Sequence, residues 1–154
     1  MAKNGATLKT AATPKGILDL EFAYNSDKAT TVINAWQDDG KTDNIAAAKF
    51  NTGLDFIFLL FYAAFLYHAC KMVAENYKGI AATAGILLAY GAIAAGLLDV
   101  FENIGMLLTL HGYINNFVSL ITVIFSGVKW LLALAALLYS VIGGGWFLIK
   151  KISQ

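Results

Sequence analysis

The sequence predicts an all-α protein: a membrane-embedded four-helix bundle, one N-terminal amphipathic helix plus three long helices that cross the membrane and extend beyond it. Three observations predict it. Of the 154 residues, 58% are hydrophobic and the mean hydropathy is +0.64, whereas a soluble domain is about 45–50% apolar. The excess is concentrated after residue 53, in runs of about 20 residues, enough to cross a hydrocarbon core about 30 Å thick. Turn signals interrupt the apolar part at only two places, 76–79 and 111–116.

The length fits one domain. A net charge of +1 gives no strong field for nucleic acid, and no nucleic-acid partner is expected. All eleven basic residues are lysine, so the bidentate arginine clamp for phosphate or carboxylate is missing. The single cysteine, Cys70, excludes an intrachain disulfide and a cysteine-based zinc site. The first fifteen residues lack the apolar region of a signal peptide, so the mature N-terminus is expected near Met1.

In chain order, residues 1–16 are small, polar and lysine-bearing, with Pro14 and Gly16, and read as a loose tail. The segment Ile17–Ala23 alternates Leu18, Leu20 and Phe22 with Asp19 and Glu21, which fits either an extended piece or an amphipathic lead-in to a helix. Ser26 reads as an N-cap with Asp27 in the first turn. Ala29, Val32, Ile33 and Trp36 then recur at helical spacing until Gly40, predicting an amphipathic helix over about 27–39. Few lysines lie on its polar face, so packing on the bundle is expected rather than the lipid surface.

Thr42 or Asp43 reads as the cap of the first long helix, about 43–75, which is polar to Asn51 and apolar from Leu54. After the turn Asn76–Gly79, the second runs over about 80–110 and is rich in alanine and glycine. Small residues let neighbouring helices approach, so this helix is expected at the centre. The third, about 117–150, carries Thr122, Ser126, Lys129, Ala133, Ala136, Ser140 and Gly143 or Gly144 on one stripe, the face expected to pack inward.

Each of the last two helices is about 48 Å long at about 1.5 Å per residue, more than the hydrocarbon core needs. The charges suggest where the excess goes. Asp55 opens the apolar part of the first span, Asp99 closes that of the second and Lys129 opens the last uncharged stretch of the third. Each span is then about 20 residues, which puts these three and Glu102 at one membrane boundary. The stretches 43–53 and 100–128 then extend beyond the lipid. In the rival arrangement the whole 99–128 hairpin lies in lipid, and the charges fall nearer mid-bilayer.

Asp99, Glu102 and Asn103 share one helix face at i, i+3 and i+4. With Asp55 and Lys129 they form the candidate polar layer, and Asn51 and Tyr62 fall on the Asp55 face. Two readings compete. Buried carboxylates beside a desolvated amine suit ion coupling or catalysis. The same groups also suit a structural clasp, in which Lys129 neutralises acids from two other helices and fixes their register.

His68 and His111, the only histidines, fall toward opposite ends of the predicted bundle, so no shared haem or metal is expected. Facing Glu-x-x-His pairs, as in di-metal carboxylate bundles, are absent, as are a phosphate loop and a nucleophile elbow. Neither cofactor nor metal is expected. The run Phe56, Phe58, Phe61, Tyr62, Phe65, Tyr67 covers several helix faces. It reads as lipid-facing bulk, with a quinone or pigment groove as the sharper alternative.

The DLE of ILDLEFA, the LDFIF opening of the first span, the DVFEN of LLDVFEN and the Lys129-Trp130 pair together resemble a family of small, uncharacterised bacterial multi-helix integral membrane proteins. The resemblance runs from Ile17 onward. It implies a shared bundle in the bacterial inner membrane and no particular reaction. Two functions are therefore expected to compete. One is a non-enzymatic subunit that packs with itself or with a larger membrane complex. The other is a lipid-substrate enzyme or ion-coupled carrier using Asp99, Glu102 and Lys129.

Overall fold

The computed structural model describes residues 2–37 and 44–152. Six α-helices follow one another: α1 (Ala2–Thr7), α2 (Ile17–Glu21), α3 (Ser26–Gln37), α4 (Asn44–Ala74), α5 (Ile80–Leu110) and α6 (Asn116–Ile152). No strand occurs among the described residues. The expected stop at Gly40 and cap at Thr42 or Asp43 lie outside them. α4, α5 and α6 are each long and apolar enough to cross a membrane, with mean hydropathies of 1.7, 1.9 and 2.1 over their most apolar stretches.

The helix ends follow from local chemistry. α5 closes in a Schellman motif: Gly112 takes φ +93°, its N–H donates to Thr109 O, and the Tyr113 N–H donates to Leu108 O. Glycine adopts that left-handed conformation without a Cβ penalty. Asn115 then caps α6, its Oδ1 accepting from the Val118 N–H. At α3 the cap is Asn25, not the expected Ser26: Asn25 Oδ1 accepts from the Lys28 N–H at 2.9 Å. Ser26 instead donates both its N–H and its hydroxyl to Asn116 Oδ1. α6 also runs through the Lys150-Lys151 pair to Ile152, past its expected end.

The residues form two compact units. The first comprises Met1–Phe58 and Asp99–Gly127. Its apolar core joins Leu8, Leu20, Val32, Ile33 and Trp36 to Ala48 of α4 and to Met106 and Leu110 of α5. The amphipathic helix α3 thus packs on protein, as its polar-face composition suggests. Residues 2–16 depart from the expected loose tail. Leu8 and Thr13 are fully buried. The Trp36 indole donates to Leu8 O at 3.0 Å, and the Thr13 hydroxyl donates to the same carbonyl at 2.8 Å. Leu8 supplies the apolar surface that seats Trp36, and a buried indole N–H needs an acceptor.

The second unit comprises Leu59–Leu98 and Val128–Gln154. Its core is built from Leu66 and Cys70 of α4, Ala89 and Ala92 of α5 and Ala136 of α6. Here α5 touches both neighbours, as its small residues suggest. A Cβ on Gly96 would stand 2.9 Å from the Ala63 Cβ, and a Cβ on Gly85 would collide with the Tyr139 ring. Tyr139 donates its hydroxyl to Ala81 O, and Tyr77 donates to Gly143 O. These bonds seat two phenols that the close-packed glycines leave room for. Phe58 in the first unit and Phe61 and Phe65 in the second are exposed outward on α4.

Candidate functional site: a buried polar layer

α5 places Asp99, Glu102 and Asn103 on one face, and all three are at least 98% buried. The arrangement is the one the i, i+3, i+4 spacing dictates. Asn103 connects that face to α4: its Nδ2 donates to Asp55 Oδ2 at 3.0 Å and to Asp99 Oδ1 at 3.5 Å. Both amide hydrogens are thereby spent on carboxyl groups. Asp55 itself is half-buried. Of the two polar residues expected on its face, Asn51 and Tyr62 are both half-buried.

Two carboxyl groups held on one neutral amide repel each other unless a proton or a cation offsets the charge. Lys129 is 7% exposed, and its ammonium lies 5.6 Å from the centre of the neighbouring Trp130 ring. The inward stripe on α6 is largely realised: Thr122, Ser126, Lys129 and Ala136 are buried, while Ala133, Ser140, Gly143 and Gly144 are half-buried.

One buried acid was not legible as part of this set. Glu21, the last residue of α2, is 5% exposed and accepts a 2.5 Å hydrogen bond from the Ser126 hydroxyl. Ser126 precedes Lys129 by three residues, hence on the same face of α6. An acid in an alternating segment reads as solvent-facing. The only available hint was that the α6 stripe offered a hydroxyl one turn from its lysine.

Three buried threonine hydroxyls are satisfied within their own helices, whereas the buried Ser119 hydroxyl has no hydrogen-bond partner among the described residues. Thr52 donates to Ala48 O, Thr109 to Gly105 O and Thr122 to Val118 O. Such back-bonding lets polar residues sit inside a bundle at little cost. His68 is exposed on α4, and His111 is exposed with its Nδ1 2.7 Å from Leu107 O. Among the described residues no group of three or more His, Cys, Asp or Glu side chains is placed to hold a metal ion.

Fold and site together define a class: an α-helical bundle with three candidate membrane-spanning helices and buried acids on α5. No protein-family model, curated protein or solved structure matches the chain.

Proposed function

We propose that this chain is a non-enzymatic structural or accessory subunit of the bacterial inner membrane, packing with itself or within a larger membrane complex. The resemblance to small bacterial multi-helix membrane proteins supports the compartment. The observation that carries the role is the way the polar groups are used. Asn103 spends both amide hydrogens on Asp55 and Asp99, and Glu21 is tied to Ser126. Groups committed to one another fix helix register, whereas a working site keeps a group free for substrate.

A second reading is favoured by one observation: Asp99, Glu102 and Lys129 are all more than nine-tenths buried, and ionisable groups buried in spanning helices mark ion or substrate paths. It makes the same layer the site of an ion-coupled carrier or lipid-substrate enzyme.

A charge-neutral double variant separates them. Lys129→Met alone should lower stability by about 3–5 kcal/mol, the cost of stranding a buried partner. Lys129→Met with Glu102→Gln should recover part of it. A stable double variant that still supports growth where gene deletion does not is the expected result. A stable double variant that fails to do so overturns the subunit role and leaves the layer as the working site. The subunit role itself predicts native masses at multiples of 16.6 kDa or a complex of fixed stoichiometry. A lone monomer at every detergent concentration would overturn it.

A further inference from the structure

We propose that the second unit carries a binding site for one anionic phospholipid, with its phosphate at Lys71 and an acyl chain in the furrow between α4 and α5. This needs only that the helices cross a membrane, and does not depend on the subunit role.

Lys71 lies in the last turn of α4, about 5 Å along the axis from the helix end at about 1.5 Å per residue. A lysine at that level is expected to extend toward water. Its ammonium instead lies 5.5 Å from the centre of the Tyr67 ring, one turn back toward the span. Glu75, one turn the other way, is exposed, yet Lys71 turns to the aromatic ring. The charge is therefore held over the tyrosine, half-buried, in the last turn of a candidate span.

Around it stand donors suited to a phosphodiester. His68 is exposed and packs edge-on to Tyr67, with ring centres 5.2 Å apart. Tyr90 of α5, 63% exposed, meets Tyr67 edge-on at 6.0 Å. An ammonium, an imidazole and two phenols at one helix pair are donors of the kind that hold a phosphate through charge-assisted and neutral hydrogen bonds.

Below the tyrosine pair the surface narrows to small residues. Ala64 and Ala94 follow one turn deeper on α4 and α5, and Leu60 and Leu97, both exposed, follow those. The Gly96–Ala63 approach draws the two backbones together behind them. These two alanines, exposed and half-buried respectively between larger side chains, are where we place the acyl chain. The same end of the unit carries the exposed Lys78 in the 75–79 turn, and a lysine near the membrane surface attracts anionic lipid.

The test uses the full chain purified in detergent, loaded with phosphatidylglycerol or phosphatidylcholine of equal chain length and read by native mass spectrometry. One phosphatidylglycerol should be retained about tenfold more than phosphatidylcholine, and Lys71→Gln should abolish the preference. Lys78→Gln should leave it unchanged. Ala64→Leu with Ala94→Leu should lower retention of both lipids. Inorganic phosphate should displace neither lipid beyond a chloride control of equal ionic strength. Circular dichroism on each variant confirms that the helices are intact. Equal retention of the two lipids by the unmodified chain, or an undiminished preference in Lys71→Gln, overturns the proposal. Displacement by phosphate would show a site for a free anion and overturn it equally.

Discussion

Asn103 donates to Asp55 across two helices, its amide nitrogen 3.0 Å from the carboxyl oxygen, and its second hydrogen reaches Asp99. Replacing it with leucine keeps the volume and removes both donors. Asn103→Leu should lower stability by about 1–3 kcal/mol, the cost of leaving the buried Asp99 and the half-buried Asp55 short of a donor. Asn103→Asp should cost more, because it sets a third carboxyl against two others. Titration of the reconstituted protein with SDS measures both. Unchanged midpoints would mean that the bridge contributes nothing.

Trp36 is 1% exposed and hydrogen-bonded to the Leu8 carbonyl. Trp36→Ala should cost about 3–5 kcal/mol. Trp36→Phe keeps a ring and loses the donor, and should cost about 1–3 kcal/mol. Removing residues 2–13 should reproduce much of the larger loss, since Leu8 and Thr13 are buried in the same cluster. Thermal melts in detergent report each, and indifference to the truncation would show that the segment adds no stability.

Gly96 faces Ala63 with no room for a methyl group. Gly96→Ala should destabilise by about 1–3 kcal/mol through overpacking. Adding Ala63→Gly should restore most of the loss, because it removes the atom in the way. A double variant no better than the single would place the strain elsewhere.

Tyr113 and Lys78 lie in the two exposed turns, which three crossings put on opposite sides of the membrane. Single cysteines at these positions, in a Cys70→Ser background, should react with an impermeant maleimide from opposite faces of sealed vesicles. Reaction of both from one face would rule out three spans.

Much of the fold was legible because its punctuation is local. Gly79 and Gly112 take positive φ, and the helices between the turns, α4 and α5, end within a residue of where the glycine and asparagine signals put them. The face formed by Asp99, Glu102 and Asn103 follows from spacing alone. What escaped was long-range. Leu8 is one apolar residue among small polar ones, and only Trp36, 28 positions later, gives it a place. Glu21 meets Ser126 across 105 positions, and no periodicity encodes such a pairing. Asn25 displaced Ser26 as cap because Ser26 is engaged by Asn116, again a partner far along the chain.

The Glu21–Ser126 bond also sets an order of assembly. Glu21 leaves the ribosome early, and its partner emerges only when α6 is made. Until then α2 lacks its hydrogen-bond donor, and before α5 is made its unit also lacks the Met106 and Leu110 side chains that complete the core. The first part of the protein to be synthesised is therefore the last to settle. A ribosome paused between Leu110 and Ser126 would hold an N-terminal segment still open to protease, and release past Ser126 would close it.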